Sequence, residues 1–286
     1  MLSNPLISII IPTYNEEKDI EQCLISLNEQ DYTNKEIIIV DDGSTDNTVN
    51  IIKNFPNINV FKGIHGGAGY SRNIGSQYAK GEILIFIDAD MTFEKNYLKN
   101  LIGPIVNDRS EEIIGTTHDY EVVINTENWI SNLWGPIRVS REQAKNVKIF
   151  RAIRKDKFLE LGGFDLKFSY ADDQSLWIKY KVCPVVANNT TCYHKNPETL
   201  TSTFKQAKWI GSSWIERFKI FKLPIIKHLA IFGLFIILLP LIFAKSSVIK
   251  AKSNISIFKI IKYYSYKFTG YAVGIFKAMY KNEVFK

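Results

Sequence analysis

Two acids, Asp88 and Asp90, stand one residue apart at the end of the apolar run Ile83–Ile87. A strand that is apolar on both faces belongs inside a covered parallel sheet. Such sheets bind ligands in the crevice beyond the carboxyl ends of their strands. Two carboxylates held there repel each other and resist leaving water unless a cation joins them. Oxygen ligands select a hard divalent ion, and that ion commonly accompanies a phosphate-bearing substrate. Taken alone, the pair reads more simply as the solvated start of a loop. Two further acid pairs change that balance. Asp41-Asp42 closes the buried strand Glu36–Val40, and Asp172-Asp173 follows the turn at Gly162-Gly163. Strand ends in a parallel sheet converge, so Asp41/Asp42 and Asp88/Asp90 are expected in one crevice. Pro12-Thr13-Tyr14-Asn15-Glu16, after the first strand, would sit at the same edge. The plainer alternative for Asp42-Gly43-Ser44 is a turn and helix cap.

The elements that must position these residues alternate in type. Leu6–Ile11 reads as a strand closed by Pro12, and Ile20, Cys23, Leu24 and Leu27 recur at helical spacing with Asn15 as N-cap. A second helix restarts at Ser44–Asn47 and carries Ile51, Ile52 and Phe55. Ile58–Phe61 reads as a third strand. A glycine-rich stretch, Gly63 to Gly69, leads into a helix through Arg72 and Tyr78, and Ile83–Ile87 is the fourth strand. Strands alternating with helices imply an α/β, doubly wound, mainly parallel sheet. About Met91 to Phe150 the helix and strand signals mix, and no assignment follows.

Charge is unevenly spread along the 286 residues. The formal net charge is +7, yet Arg217 to the end carries thirteen Lys or Arg against the single acid Glu283, leaving residues 1–216 at −5. The basic balance belongs to the tail, which argues against nucleic acid as a partner of the main domain. Cys23, Cys183 and Cys192 are scattered, and His65, His118, His194 and His228 lack zinc spacing. Reduced cytosolic thiols are the expectation. No signal peptide is visible at the start.

Five marks occur in order: Ser8-Ile-Ile-Ile-Pro-Thr-Tyr-Asn-Glu16, Val40-Asp-Asp-Gly-Ser-Thr-Asp46, Gly69-Tyr-Ser-Arg-Asn73, Asp88-Ala-Asp90 and Gly162-Gly-Phe-Asp165. With Asp172-Asp173 standing where a Glu-Asp pair is usual, residues 5–215 resemble the family 2 glycosyltransferases of the GT-A fold. The resemblance implies that Pro12, Thr13, Tyr14, Asn15 and Glu16 line the nucleotide base and ribose. Asp41, with Asp42, would bind the base, and Arg72 would sit near base or diphosphate. Asp88, with Ala89, would reach the ribose side, and Asp90 would hold Mn²⁺ or Mg²⁺ against the diphosphate. Asp173 matches the family's catalytic base, with Asp172 beside it at the acceptor. His194 is a candidate to complete the metal site or touch phosphate; the plainer reading is a structural histidine. Gln206-Ala-Lys208-Trp209 is similar to the acceptor gate of processive polysaccharide synthases but is one residue short and has Lys for Arg. It therefore argues against processive synthesis, while Trp209 is retained either as an acceptor-stacking residue or as a helix-packing one.

The tail contains sixteen uncharged residues, Leu229 to Ala244. A helix of that length spans ~24 Å, short of a ~30 Å hydrocarbon core. Ile255 to Tyr280 mixes Ile, Phe and Tyr with lysines, a pattern suited to the headgroup region of anionic lipid. Basic flanks on both sides favour a re-entrant or in-plane anchor, with a single transmembrane helix as the alternative. The expected organisation is a GT-A catalytic domain over 1–221 and an apolar, basic, membrane-anchoring tail of helices over 222–286. The expected function is an inverting, metal-dependent transfer of sugar from a UDP- or GDP-sugar donor to a lipid-linked or glycan acceptor. It would occur at the cytosolic membrane face, with membrane lipid as a further partner. A non-catalytic nucleotide-sugar-binding scaffold is the rival, and the lack of a Gly-x-Gly-x-x-Gly after the first strand argues against a dinucleotide oxidoreductase.

Overall fold

The computed structural model describes residues 4–218, 246, 249–250 and 254–281. Nine strands form one sheet in the order β3-β2-β1-β4-β8-β6-β9-β5, with β7 paired to β6. The strands are β1 Ile7–Thr13, β2 Lys35–Asp41, β3 Ile58–Lys62, β4 Ile83–Phe86, β5 Met91–Phe93, β6 Gly115–Val123, β7 Ile137–Val139, β8 Ala152–Arg154 and β9 Val185–His194. β1, β2, β3 and β4 pair in parallel, as the alternation of strand and helix predicts. The other half differs. β8 is antiparallel to both β4 and β6, β5 to β9 and β7 to β6, while β6 and β9 run parallel. Among the described residues the sheet is therefore mixed rather than mainly parallel.

Strand alternation builds a core on each face. Ile7, Ile9, Ile11, Ile37, Ile39, Ile83, Ile85 and Ile87 point to one side. There they meet α1 (Ile20–Asn28) through Ile20, Cys23, Leu24 and Leu27, and α4 (Tyr97–Asn107) through Tyr97, Leu98, Leu101, Ile102 and Ile105. The intervening residues Ile10, Ile38, Val40, Leu84 and Phe86 point to the other side, against Phe158, Phe164 and Leu176. Successive side chains on a strand face opposite ways, so an unbroken apolar run is buried on both faces. Gly75, in α3 (Ala68–Tyr78), lets that helix approach the sheet: a Cβ there would lie 2.5 Å from Ile10 Cγ2.

The helix expected from Ser44 is shorter than predicted; α2 covers only Thr48–Ile52. Asn15 does not cap α1. Its φ is +57°, and its side-chain oxygen accepts instead from the Thr45 N–H at 2.8 Å. The unassigned middle contains β5, α4, β6, α5 (Trp129–Trp134), β7 and α6 (Arg141–Ala144). It is followed by β8, α7 (Lys155–Glu160), a 3-10 helix over Leu166–Gln174 and α8 (Ser175–Tyr180).

The chain divides into two compact units. One holds residues up to Ile124, Ile137–Leu166 and Asp172–Lys195; the other holds Asn125–Pro136, Lys167–Ala171 and residues from Asn196 on. The second unit gathers three stretches distant in sequence, which the single composition shift near Lys222 does not register. Within it, α9 (Leu200–Phe218) and α10 (Ile257–Lys281) lie against each other at glycines. A Cβ on Gly270 would meet the Phe204 carbonyl at 2.6 Å, and one on Gly274 would strike the Lys208 carbonyl. Ile260, Tyr263 and Tyr264 of α10 pack with Ile130 of α5. The apolar run Leu229–Ala244 lies outside the described residues. Among the described residues no helix is long and apolar enough to cross a membrane.

Candidate active site

The carboxyl edge of β1, β2 and β4 carries most of the predicted residues. Register sets this out: Thr13 pairs with Asp41, and β4 runs beside β1 and ends just before Asp88. The loops after β1 and β2 are stitched together. Asn15 N donates to Ser44 Oγ (2.9 Å), Glu16 N to Thr48 Oγ1 (2.8 Å) and Asp42 N to the Thr13 carbonyl (2.8 Å). Pro12 is half-buried and Thr13 buried, whereas Tyr14 is exposed and lies 4.6 Å, centroid to centroid, from the His65 ring.

Asp41 and Asp42 have different occupations. Asp41 Oδ1 accepts the Ser44 N–H at 3.1 Å. Asp42 is spent on the glycine-rich loop: its two carboxylate oxygens accept the Gly66 and Gly67 N–H groups, each at 2.7 Å. Asp42 thus holds the backbone that starts α3, and α3 delivers Arg72.

Arg72 is buried and joins two acid pairs. Its Nη2 donates to Asp88 Oδ1 at 2.5 Å, and its Nη1 to Asp172 Oδ1 at 3.0 Å. Arg151, just before β8, holds the other Asp88 oxygen at 3.2 Å. Burial opposes ionisation of Asp88, but Arg151 and Arg72 outweigh it and hold this carboxyl well below the usual range. A carboxylate clamped by two guanidiniums has little left for a cation, so the two acids of Asp88-Ala-Asp90 are not equivalent. Ala89 is buried in the core between them.

Asp90 faces His194 instead. His194 Nε2 lies 2.9 Å from Asp90 Oδ2, and its Nδ1 lies 2.6 Å from Glu121 Oε1. Burial works against the charged imidazole, but Asp90 prevails and the His194 pKa is raised to about 9. Glu16 on the neighbouring loop has its pKa pushed up to about 8, first by burial, then by Asp90, Asp19 and Asp88. This crevice carries more negative charge than its own cations balance. Asp90 and His194 are a carboxylate and an imidazole donor that could hold a divalent cation in such a field.

His118, Glu121 and Cys192 are also buried together, with donor atoms all within 4.8 Å. Their geometry is that of mutual satisfaction. Cys192 Sγ meets His118 at Nδ1 (3.4 Å), whereas Glu121 Oε2 meets it at Nε2 (3.2 Å), on the other edge of the ring.

Asp173 is the contrasting acid. Its Oδ1 is buried without a hydrogen-bond partner. Burial first, then the Asp172 charge, push its pKa up to about 7, although Arg72 and Arg151 pull the other way. Asp172 is 5% exposed and shares Arg72. Gly69 leaves room for it, since a Cβ there would strike the Asp172 carboxylate. The Gly162-Gly163 turn has φ of +78° and +72°, a region that favours glycine. There Asn73 Nδ2 donates to the Phe164 carbonyl, tying α3 to the segment that leads to Asp173. Trp209 belongs to the second unit, on α9, edge-on to Tyr170 at 5.0 Å.

Sequence reasoning missed Arg151, Glu121, His118 and His65. A charged residue inside the otherwise apolar Phe150-Arg-Ala-Ile153 was the available signal for Arg151. Glu121 sits on a strand whose polar residues hide its burial.

Comparison with known proteins bears on family and fold. The family model of glycosyl transferase family 2 matches residues 8–164. A glycosyltransferase of Streptococcus pneumoniae, GlyG, is 35% identical over 121 residues, which are 41% of this chain and 40% of that protein. The poly(ribitol-phosphate) β-N-acetylglucosaminyltransferase TarS of Staphylococcus aureus is 36% identical over 114 residues, 37% of this chain and 20% of that one. The matches thus span less than half the length of these relatives. Among solved structures, the mannosyltransferase PcManGT of Pyrobaculum calidifontis, in complex with GDP-Man and Mn²⁺, aligns with a TM-score of 0.60. It is 18% identical, with 98% of this chain and 88% of that chain covered. TarS residues 1–349 with UDP-GlcNAc align with a TM-score of 0.53 at 18% identity, covering 96% and 91%. The fold is shared with these GT-A glycosyltransferases, and the chain belongs to glycosyl transferase family 2.

Proposed function

We propose that this chain transfers one sugar from a UDP- or GDP-sugar to an acceptor hydroxyl, with inversion at the anomeric carbon. The observation that carries this reading is Asp173, whose buried oxygen lacks a partner and whose pKa is raised to about 7. A base works best when its pKa lies near the operating pH. Asp173 would take the proton of the acceptor hydroxyl as that oxygen bonds to the anomeric carbon. The bond from that carbon to the diphosphate breaks in the same step, and no second nucleophilic carboxylate is needed.

The remaining residues bind and orient. Tyr14 and His65 flank the nucleotide base, and Asp41 completes its edge. Arg72 and Arg151 fix Asp88 and, through Asp172, the approach to Asp173. Asp90 and His194 would hold Mn²⁺ or Mg²⁺. A cation there supplies Lewis-acid stabilisation of the leaving diphosphate's charge.

The acceptor is read as lipid-linked or glycan and the location as the cytosolic face of a membrane. Support comes from α10, which contains no acid. Phe258, Lys262, Tyr266, Thr269 and Phe276 are exposed on it at intervals of three, four and seven residues, hence on one face. A lysine among aromatic side chains on such a face suits an anionic headgroup layer.

The test is calorimetric titration with UDP, GDP and their sugar conjugates, with and without Mn²⁺, on wild type and Asp90→Ala. One nucleotide should bind in a metal-dependent way, and the variant should lose that binding. Proton NMR of the product should then show the anomeric configuration opposite to the donor's. A folded protein that binds none of these nucleotides would overturn the reading in favour of a non-catalytic scaffold.

A further inference from the structure

Behind the Asp90–His194 pair runs a line of buried polar groups that reaches the centre of the first unit. Tyr97 Oη lies 3.3 Å from His118 Nδ1, His118 Nε2 lies 3.2 Å from Glu121 Oε2, and Glu121 Oε1 lies 2.6 Å from His194 Nδ1. The exposures of His118, Glu121 and His194 are 1%, 4% and 6%. A carboxylate this enclosed is tolerated only when hydrogen bonds saturate it. Two imidazoles do so here.

The backbone is arranged to bring these groups together. Glu121 pairs with Cys192 and Val123 with His194 across parallel β6 and β9, so Glu121 and His194 share a face as diagonal neighbours. His118 is three residues from Glu121 and would point to the opposite face in a regular strand. The β6–β9 register shifts between His118 and Tyr120, and that irregularity re-aims the imidazole. Asp119 pins it: its carboxylate accepts the N–H groups of Asn189 (3.0 Å) and Thr190 (2.9 Å), with Asn189 at φ +57°.

We infer that Glu121, backed by His118, is a positioning residue that keeps the proton of His194 on Nδ1 and so turns Nε2 toward the cation site beside Asp90. The inference rests on the cation site proposed above. Its logic is that of metal-bound histidines generally: the far ring N–H is held by a carboxylate, which fixes tautomer and ring orientation. The proton logic runs one way. Tyr97 donates to His118 Nδ1, so His118 Nε2 carries a proton for Glu121. Glu121 accepts from both imidazoles. Arg138 Nη1 also lies 3.0 Å from His194 Nδ1 and 3.7 Å from Glu121. An Arg138–Nδ1 hydrogen bond would demand the opposite tautomer, with the proton on Nε2. The 2.6 Å contact to a carboxylate saturated by a second imidazole favours Glu121 as the partner.

Three measurements test the assignment. Mn²⁺ binding is followed by calorimetry, and coordination by the nitrogen hyperfine coupling in pulsed EPR, for wild type, His194→Ala, Glu121→Gln and His118→Gln. Glu121→Gln should weaken Mn²⁺ binding by ~10–100-fold and diminish the imidazole coupling at saturating metal, with His118→Gln intermediate. Affinity within about twofold of wild type and an unchanged coupling in Glu121→Gln would overturn the inference. A wild type that binds Mn²⁺ without any imidazole coupling overturns it as well. A wild type that binds no Mn²⁺, with or without nucleotide, would instead sink the cation site itself. Nitrogen-15 NMR of histidine-labelled wild type loaded with diamagnetic Cd²⁺ tests the tautomer without any variant that must fold. The proton on His194 Nδ1 supports the assignment, and a proton on Nε2 refutes it.

Discussion

Replacing Asp173 by Asn keeps the shape of the side chain and removes its ability to accept a proton. The structure sets two magnitudes. A positioned base contributes ~10²–10⁴-fold, so turnover with a hydroxyl acceptor should fall by that factor at pH 8. The raised pKa of about 7 sets the pH dependence: wild-type kcat/KM should climb about tenfold per pH unit up to that value and then level. At pH 5 only about 1% of the wild-type carboxyl is charged, so the gap between wild type and variant should shrink about a hundredfold. Stability moves oppositely. The folded pKa lies above the ordinary 3.8, so the folded state holds its proton longer and stability is lost as pH rises from about 4 through about 7. At ~1.4 kcal/mol per unit, that loss is at most about 4 kcal/mol by pH 8, and the Asn variant escapes it. Thermal unfolding at pH 4 and pH 8, beside a radiolabelled transfer assay across pH 5–9, reads both effects. Wild-type-like turnover at pH 8 would refute Asp173 as the base, or show that the acceptor is an already ionised phosphate. A melting difference that stays constant with pH would refute the buried-carboxylate reasoning.

Four further outcomes are expected. Asp42→Asn sets an amide N–H₂ against one of the two glycine N–H groups that the carboxylate accepts; urea unfolding should show a loss of ~1–3 kcal/mol, and donor KM should rise. Arg151→Ala leaves the half-buried Asp88 carboxylate with Arg72 alone, which should cost ~1–3 kcal/mol and show as a lower melting temperature by circular dichroism. Gly274→Ala drives a methyl into the Lys208 backbone carbonyl, which cannot swing aside; α9 and α10 should separate locally, with faster amide hydrogen exchange over both and a cost of ~1–3 kcal/mol. Lys262→Glu should weaken flotation with phosphatidylserine vesicles by ~1 kcal/mol or more, an effect that salt should erase. Equal binding of wild type and variant to those vesicles would remove the support for a lipid-facing α10.

How far the chain could be read before folding depended on how openly each element shows its burial. Ile83–Ile87 is apolar throughout because both faces are covered, so strand, core and the site at its end were all legible from one run. β6 is equally buried, yet Thr116, Thr117, His118, Asp119 and Glu121 occupy it. Asp119 and Glu121 are satisfied by partners distant in sequence, Asn189, Thr190 and His194, and no periodicity can announce those. The same holds for the mixed half of the sheet, whose order β4-β8-β6-β9-β5 joins strands far apart in the chain. Asn15 misled for a local reason. Asn is favoured both as a helix cap and in the left-handed region, and here the second preference wins, aiming its side chain at Thr45.

The partition of charge explains why so many acids can share one crevice. Asp88 is clamped by Arg72 and Arg151, Asp172 by Arg72, and Glu121 by His118 and His194. Each of these carboxylates has its charge matched inside the protein, and each positions something. Glu16 and Asp173 are left without such a match, and their pKa values rise to about 8 and about 7; burial also raises that of Asp172, beside Asp173, against the pull of Arg72. Raising a carboxyl pKa costs folding free energy at neutral pH, and a fold that only needed stability could neutralise these acids with one more arginine. Their unmatched charge makes sense if something outside the chain completes it. A cation beside Glu16 and Asp90 would remove the first excess, and the proton of an acceptor hydroxyl would remove the second. Binding of metal and donor should therefore raise the melting temperature more at pH 8 than at pH 5, where protons already hold these carboxyls neutral. An increment independent of pH would show that the excess charge is not what the ligands answer.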